Sequence, residues 1–500
     1  MDVPLDANQF RSRSGFKLLV TEGAEWIESE PNDRPEVANR ISAPGGVSGR
    51  IWAANGRGDV DIYRFEAKAG QAWIIETMAA QRGCPTDTRI ELLQADGQPV
   101  PRLLLQAVRN SAVTFRGIGS DAVDCRLENW EEMELNDLLY LQGEVAKLWR
   151  APQGPDSGFV FYSGAGGKRR CFFDTSGTVH ASGETCYIVE PHPPGAKLVA
   201  NGLPVFPLFY ANDDDGDRQL GSDSRLHFSA PKDGSYLVRV TDTRGYGGER
   251  FAYRLVIREA RPDFKVTLNG AGQTIDAGSG RAFSVTADRL DGFDGEIKVE
   301  LQGLPPGFSV STPLVIQAGH TEAKGTIHAT WDALQPNETN GVASKVTATA
   351  MVDGKAVIKG VNNLGQLKLG VKPKLFVALE PPGVSSRTNA SAVHVPLELT
   401  IAPGQAISAW LKVTRNGHDD LVTFTVENLP HGIIVDNIGL NGVLIPKGQD
   451  EREIFLTAAK WVPETDRLCY AVENQAGRQT SLPVLLHVRK SGSKVVSAAK

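Results

Sequence analysis

The amino-acid sequence predicts an all-β protein that is built from several β-sandwich domains. Short segments alternate apolar and polar residues, and turn signals rich in glycine and proline separate them. No regular succession of long helical patterns lies between these segments, which argues against a parallel α/β sheet. The 500 residues exceed what one hydrophobic core supports, so roughly two to four domains are expected.

The first sandwich is predicted over residues 23–261, with strands that pair as antiparallel hairpins. The strand segments are Asp59–Ala67, Trp73–Met78, Arg89–Leu93, Ser224–Ala230, Tyr236–Thr241 and Phe251–Ile257. Asp96-Gly97 and Asp233-Gly234 are the turn signals of such hairpins. The pattern is typical of a jelly-roll β-sandwich. Residues 1–22 are interpreted as the remnant of an upstream segment, because Phe16–Val20 reads as the last strand of a preceding domain.

An insertion of about a hundred residues, roughly 101–207, interrupts this sandwich. It contains the best helix candidate of the chain, Glu128–Tyr140, in which Asn129 could cap an acidic first turn. A loop of this length without structure of its own is uncommon. The insertion is therefore predicted to form a subdomain.

Two immunoglobulin-like sandwiches are predicted after the boundary at Arg261-Pro262, over residues 262–373 and 374–490. The segment Gly303-Leu-Pro-Pro-Gly is repeated as Asn428-Leu-Pro-His-Gly, at an offset of 125 positions. Several other landmarks share nearly the same offset, which indicates a duplicated domain. Each copy has several strand-like runs separated by turn signals, as in an immunoglobulin-like fold. Residues 491–500 are small, polar and basic, and we expect a disordered tail.

Composition narrows the possible functions. The net charge of −6 is mild for this length and argues against a nucleic-acid partner. No apolar run reaches the length of a transmembrane helix, and Met1–Phe10 lacks the apolar core of a signal peptide. The five cysteines match no metal-binding spacing; one or two disulfides and buried free thiols both remain open.

Enzymatic motifs are not found in the sequence. There is no H-E-x-x-H and no G-x-S-x-G, and Gly164–Lys168 lacks the spacing of a phosphate-binding loop. The protein is therefore predicted not to be an enzyme. The alternative hypothesis is an enzyme whose active site lies in the insertion, because aromatic and histidine side chains are concentrated there. These residues are Trp130, Trp149, Tyr162, Phe172, His180 and His192.

Oxygen-bearing side chains occur at alternate positions near the start of the first sandwich. Glu28, Glu30 and Asn32 surround Pro31, which fixes its own φ and biases Glu30 toward an extended conformation. In an extended segment, alternate side chains project from the same side. Three converging oxygen ligands can begin the coordination shell of calcium. A solvated acidic loop is the competing explanation.

Two further acidic segments resemble this arrangement. Asp59 and Asp61 are again spaced by two, which would place both carboxylates on one face of a strand. Asn212–Asp217 contains four aspartates, but the distal glutamate of an EF-hand is missing. Dense carboxylates repel one another unless a cation or a basic group neutralises them. A bound cation would supply that neutralisation, and acidic turns exposed to water are the competing explanation.

These segments together resemble the bacterial pre-peptidase C-terminal domain. The matching residues are Glu28-x-Glu30-Pro31-Asn32-Asp33, Gly58-Asp59-x-Asp61-x-Tyr63-x-Phe65, Asn212-Asp213-Asp214, Ser224-x-Leu226-x-Phe228, Tyr236-x-Val238-x-Val240 and Tyr253-x-Leu255. The resemblance implies a jelly-roll β-sandwich of the kind found beside secreted peptidases and in collagen-binding domains. It also implies calcium ligands at Glu28, Glu30 and Asn32, with Asp59 and Asp61 in the later acidic strand. The insertion departs from the compact members of that family.

The function predicted from the sequence is that of a non-catalytic exported module. It would be stabilised by calcium and would mediate protein or carbohydrate interaction, or act as a spacer, in a larger bacterial secreted or cell-surface protein. Either the protein is cytosolic or it is an internal piece of a longer exported chain. The strand-like segment Phe16–Val20 favours the second, which predicts a location outside the cytoplasm, with the signal peptide absent from this chain. The alternatives are an accessory region of a secreted peptidase and an enzyme with its site in the insertion.

Overall fold

A computed structural model describes residues 20–21, 23–52, 58–152, 158–384, 396–436 and 442–490, together with residues 2–3, 9 and 16–17. The predicted tail, residues 491–500, lies outside the described residues. The all-β fold class is confirmed: the described residues form β-strands and no α-helix. The short 3-10 helices are Pro35–Val37, Ala80–Arg82, Trp130–Glu132, Ala165–Gly167 and Asn340–Val342.

The chain divides into two compact units, Met1–Arg261 and Pro262–Lys500. Near the N-terminus, β1 (Asp2–Val3) and β2 (Phe16–Lys17) pair with each other as an antiparallel ribbon. The first half of the sandwich then provides six strands. They are β3 (Ala24–Ile27), β4 (Asn39–Arg40), β5 (Gly45–Arg50), β6 (Asp61–Ala67), β7 (Ala72–Met78) and β8 (Thr88–Gln94).

The residues of the insertion form one seven-stranded sheet. Its strands are β9 (Pro101–Ala112), β10 (Asp124–Cys125), β11 (Leu138–Leu141), β12 (Glu144–Arg150), β13 (Phe159–Phe161), β14 (Thr185–His192) and β15 (Val205–Phe209). They lie in the order β10-β13-β12-β11-β14-β9-β15. The central pair of β9 and β14 is antiparallel and extends over most of both strands.

The helix predicted over Glu128–Tyr140 is wrong. The structure has a single 3-10 turn at Trp130–Glu132 and then strand β11. Asn129 adopts a left-handed conformation with φ of 54° and its side chain caps nothing. In β11, Leu139 and Leu141 are fully buried while their neighbours are only partly buried, so the apolar period is two. Pairing with β12 and β14 therefore determines the local structure.

The chain returns to the sandwich after the insertion through four strands. These are β16 (Ala211–Asn212), β17 (Arg225–Ser229), β18 (Gly234–Asp242) and β19 (Ala252–Glu259). The two sheets have the orders β16-β8-β18-β6-β4 and β17-β7-β19-β5-β3. Their inner faces enclose a core that includes the buried Tyr63, Phe65, Ile75 and Leu255. The alternating segments that the sequence marked as strands in this domain are confirmed.

The second unit contains two immunoglobulin-like sandwiches in succession. The strands of the first are β20 (Asp263–Asn269), β21 (Thr274–Asp276), β22 (Gly280–Leu290), β23 (Ile297–Gln302), β24 (Phe308–Val310), β25 (Leu314–Ile316), β26 (Glu322–Ala329), β27 (Lys345–Val352), β28 (Lys355–Val361) and β29 (Lys368–Gly370). Its sheets are β20-β22-β26-β24 and β25-β23-β27-β28, with β21 and β29 as a parallel pair.

The following sandwich repeats this plan. Its strands are β30 (Leu375–Glu380), β31 (Leu397–Ile401), β32 (Ala406–Arg415), β33 (Val422–Glu427), β34 (Ile433–Asp436), β35 (Val443–Ile445), β36 (Glu451–Ala458), β37 (Thr465–Glu473) and β38 (Val484–Val488). The sheets are β30-β32-β36-β34 and β31-β38-β37-β33-β35.

The repeated sequence motif has the same backbone conformation in both copies. Gly303 and Asn428 begin it with φ of 75° and 62°, and Gly307 and Gly432 end it with φ of 80° and 89°. All four lie in the left-handed region that glycine and asparagine tolerate best. Directly afterwards, β24 pairs with β26 and β34 pairs with β36. The similarity of Leu-Pro-x-Gly in sequence therefore reflects one structural element used twice.

Candidate metal centre

Three of the predicted calcium ligands come together at one end of the first sandwich. Oxygen atoms of Glu28, Glu30 and Asp61 all lie within 4.8 Å of one another. Glu28 follows β3, which runs parallel to β5, and its N–H donates to the Ser48 carbonyl at 3.0 Å. Asp61 is the first residue of β6. The cluster therefore joins the entrance segment of the domain to β6 of the opposite sheet.

Two buried tyrosines orient the carboxylates from the core side. The hydroxyl of Tyr253 donates to Asp61 Oδ2 at 2.5 Å, and that of Tyr63 donates to Glu28 Oε2 at 3.2 Å. The two hydroxyls are themselves 2.7 Å apart. Arg50 contributes its backbone N–H to Glu28 Oε1 at 2.6 Å. Sequence reasoning listed both tyrosines only as family landmarks and missed this role, because they are 190 positions apart.

The electrostatics of the cluster favour a bound cation. Burial raises the pKa of Asp61 to about 9, and repulsion from Glu28 and then from Asp59 and Glu30 adds to the increase. Burial also raises the pKa of Glu28 to about 7, with repulsion from Glu30 and Asp59. The pKa of Glu30 is raised by burial and by Asp59. No lysine or arginine side chain of the described residues is a main contributor to these shifts, which are dominated by burial and by repulsion among the carboxylates.

Buried polar atoms without partners lie in the same place. Asp61 and Asn32 are fully buried, and Asp61 Oδ1 and both amide atoms of Asn32 have no hydrogen-bond partner. The carbonyl of Asn32 accepts from the Ile62 N–H at 3.0 Å, which places Asn32 beside the start of β6. Leaving such a group unsatisfied costs about 1–3 kcal/mol. Carboxylate and amide oxygens are the ligands that calcium takes, so the residues present fit this ion.

Gly49 keeps the space beside the cluster open. A Cβ atom at this position would lie 2.5 Å from the Tyr253 hydroxyl and 2.6 Å from Glu28 Oε2. Both distances are shorter than real carbon contacts allow. A larger residue on β5 at this position would therefore displace the tyrosine or the glutamate.

The prediction that Asp59 and Asp61 share one face of a strand is wrong. β6 begins only at Asp61, whose side chain enters the core, whereas Asp59 precedes the strand and is half-buried. The carboxylate of Asp59 accepts from the backbone N–H groups of Trp52 at 2.7 Å and Val60 at 3.0 Å. Asp59 therefore lies outside the group of three and acts on it through charge.

Within the acidic segment Asn212–Asp217, the carboxylate of Asp215 is satisfied by the protein itself, whereas Asn212 Oδ1 is buried without a hydrogen-bond partner. Asp215 is buried and accepts backbone N–H groups from Asp217 at 3.2 Å, Gln219 at 2.7 Å and Leu220 at 3.1 Å. The guanidinium of Arg225 lies 3.7 Å away from the same carboxylate. The hydrogen bonds to Asp215 are those of a structured turn.

The insertion contains a buried ionic network that sequence reasoning found only in part. Both carboxylate oxygens of Glu144 accept from Arg169, and Glu144 Oε2 lies 3.0 Å from His180 Nε2. The other ring nitrogen of His180 is 2.6 Å from Glu184. Burial raises the pKa of Glu144, but the hydrogen bonds from His180 and Arg169 outweigh it and bring the pKa to about 2. His180 was named as a candidate; Glu144 and Arg169 are distant in sequence and gave no local signal.

This network cross-links the insertion. The remaining N–H groups of Arg169 donate to the carbonyls of Gly119 at 3.0 Å, Ala122 at 2.6 Å and Thr178 at 3.0 Å. Arg169, Glu144 and His180 are all buried, whereas Trp130 and Trp149 are partly exposed. The five cysteines of the chain, three of them in this subdomain, are free thiols. The titratable groups of this network thus lie inside the core of the insertion.

The fold and this site define an all-β, multidomain chain with a candidate cation centre in its first sandwich. No family model matches the chain, so the resemblance to the pre-peptidase domain has no independent support, and no curated protein matches it either. No helix in the described part of the chain is long and apolar enough to cross a membrane.

Solved structures with similarity to the chain include immunoglobulin-like and surface-layer modules. The D0-D1 domain of intimin is 13% identical, with a TM-score of 0.16, and covers 44% of this chain and 97% of its own. Domains 5-6 of the S-layer protein SbsC are 14% identical, with a TM-score of 0.17, and cover 46% of this chain and 100% of their own. Domains 4-9 of SbsC are 13% identical, with a TM-score of 0.19, and cover 72% of this chain and 48% of their own. At these values the matches carry no inference about function.

Proposed function

We propose that the chain is a non-catalytic structural or binding module of an exported protein, and that a calcium ion fastens the entrance of its first sandwich. The observation that carries the proposal is the cluster of Glu28, Glu30 and Asp61, three carboxylates within 4.8 Å of one another. Two of them have strongly raised pKa values, and Asp61 Oδ1 is buried without a partner. A divalent cation would resolve the repulsion and the missing hydrogen bond together.

Each residue has a distinct part in this proposal. Glu28, Glu30 and Asp61 would supply carboxylate oxygens, and Asn32 would supply its amide oxygen. The hydroxyls of Tyr63 and Tyr253 hold two of the carboxylates in place. The donors are all oxygen atoms and include no histidine or cysteine, which favours calcium over zinc or copper. The ion would be structural, because it would connect the segment after β3 to β6.

The resemblance to the pre-peptidase domain supports an extracytoplasmic setting. In that setting, a secreted, periplasmic or surface protein meets calcium at the millimolar concentrations that weak extracellular sites require. The partner of the module would be a protein or a polysaccharide, or the module would serve as a spacer.

Thermal unfolding of the full chain tests the calcium site. An ion that binds only the folded state stabilises it by about 2.7 kcal/mol at a hundred times its dissociation constant. We expect millimolar calcium to raise the unfolding midpoint of the first unit relative to excess chelator. Glu28→Gln should abolish this increase, whereas Glu36→Gln, a change at an exposed glutamate nearby, should leave it intact. Equal unfolding midpoints with calcium and with chelator would show that calcium does not stabilise the folded protein.

A further inference from the structure

The two immunoglobulin-like sandwiches of the second unit contact each other through a loop of the later one. Residues 474–483 connect β37 to β38, and we call them the docking loop. Its Thr480 N–H donates to the Gly280 carbonyl at 3.1 Å, at the start of β22. The hydroxyls of Thr480 and Thr326 are 2.5 Å apart, and both residues are buried. The contact is therefore a continuation of strand pairing across two domains.

Side chains on both sides of this contact are hydrogen-bonded and excluded from solvent. His328 Nε2 lies 2.8 Å from the Ser481 carbonyl, and because a carbonyl only accepts, Nε2 carries the proton and donates. Ser279 donates to Gln479 Oε1 at 2.6 Å, and Gln479 Nε2 donates to Asp276 at 2.7 Å. Each interdomain polar group named here has a partner in the other domain. Satisfied buried networks of this kind specify one arrangement.

The docking loop is shaped by its own domain. Glu473 is fully buried, and its carboxylate accepts the backbone N–H groups of Gln475 at 2.7 Å, Ala476 at 2.6 Å and Gln479 at 2.7 Å. The loop is therefore ordered before it meets the preceding domain. Preorganisation of this kind reduces the entropy lost on docking.

Further interdomain bonds arise from other elements. Tyr470 on β37 donates to the Gly325 carbonyl at 2.8 Å, and Lys324 pairs with Glu427 at 2.8 Å. The His431 N–H donates to Gln317 Oε1 at 2.9 Å. Attachments that come from a loop, two strands and a turn do not lie along a single hinge line. Rotation of one domain against the other would break several of them at once.

At Gly280 the two domains approach each other closely. A Cβ atom there would lie 2.4 Å from His328 Nε2 and 2.4 Å from Thr480 Oγ1. A larger side chain would act as a wedge between β22 and the docking loop. By contrast, Gly360 on β28 has open space around a Cβ atom.

We propose that the two immunoglobulin-like domains form one rigid body that unfolds as a unit. The chain would then present a spacer of fixed length and direction, in place of a jointed pair of domains. The inference goes beyond the calcium-supported module and does not depend on the ion, since the interlock lies wholly within residues 262–500.

Amide hydrogen exchange on the full chain tests this inference. In the wild type, the amides of β22 and β37 should open with the same free energy, because both report one global unfolding event. Thr480→Val keeps the side-chain shape but removes its hydroxyl contacts to Thr326 and His328. Protection should fall about tenfold in both domains together. Gly280→Leu should separate the two domains, so that the amides of β37 and β22 acquire different protection from exchange. Gly360→Ala should leave the protection of both strands unchanged.

Independent protection of β22 and β37 in the wild type would overturn the inference. A loss of protection that is confined to the later domain in the Thr480→Val variant would also overturn it. If Gly280→Leu fails to fold, the conservative Thr480→Val still decides between these outcomes. Exchange is measured with calcium and with chelator, and a calcium effect is expected only in the first unit. The calcium proposal and the proposal of one rigid pair of immunoglobulin-like domains can therefore fail independently of each other.

Discussion

Replacing Asp61 by asparagine should stabilise the calcium-free protein and abolish its response to calcium. In the folded state the pKa of Asp61 is raised to about 9, mainly by burial, whereas an unfolded aspartate titrates near about 3.9. The folded state therefore binds a proton that the unfolded state has released. The contribution of Asp61 to the free energy of unfolding is therefore fully present below pH of about 4, and it declines as pH rises toward about 9.

The size of the effect follows from the same linkage. Each pH unit above the unfolded pKa is worth about 1.4 kcal/mol, so at pH 7 the ion-free protein loses at most about 4 kcal/mol through Asp61. Asparagine is neutral, has the same shape, and still accepts the hydrogen bond from Tyr253. For a unit of this size the midpoint should rise by up to about 10 °C in chelator. The increase should be small near pH 5 and should grow as pH rises toward about 9.

The assay is thermal unfolding from pH 5 to pH 9, with chelator and with calcium. Asp223→Asn is the matched control, because Asp223 is another fully buried aspartate of the same sandwich. Its carboxylate accepts three backbone N–H groups, from Ala79, Ala80 and Gln81, so its replacement should destabilise the protein. A destabilised Asp61→Asn in chelator, or one that retains the calcium shift, would refute the reasoning.

Three further predictions concern single contacts. Gly49→Ala should weaken calcium binding at least about tenfold in titration calorimetry, because the new methyl group meets Glu28 and Tyr253, while Gly119→Ala, which has open space, should not. Tyr253→Phe should lower the free energy of unfolding by about 1–3 kcal/mol in urea denaturation, since it removes the hydrogen bond to buried Asp61. Glu144→Gln should destabilise the insertion by about 3–5 kcal/mol, independently of calcium, because it leaves Arg169 as an uncompensated buried charge; an unchanged urea midpoint would count against that network.

The strands of the sandwiches were predictable because their signal is local. In Asp61–Ala67, alternate residues face the core, and the following turn ends the strand in the sequence as it does in the structure. The segment Glu128–Tyr140 failed for the opposite reason. Its glutamates are good helix formers, but the pairing of Leu138–Leu141 with strands on both sides outweighs that preference. Long-range pairing cannot be seen in a window of thirteen residues.

At the candidate metal centre, too, contacts between distant parts of the chain decide what the local sequence cannot show. Local alternation indicated Glu28, Glu30 and Asn32, and the pair of aspartates on the later strand, but it could not tell which aspartate enters the core. That choice depends on where β6 begins and on Tyr253, which arrives from the opposite sheet to hold Asp61. A buried carboxylate whose only hydrogen bond comes from a tyrosine is unfavourable in an ion-free protein. The repelling carboxylates lie at the entrance of the first sandwich, so the ion that would neutralise them should stabilise the first unit and leave the two immunoglobulin-like domains unaffected.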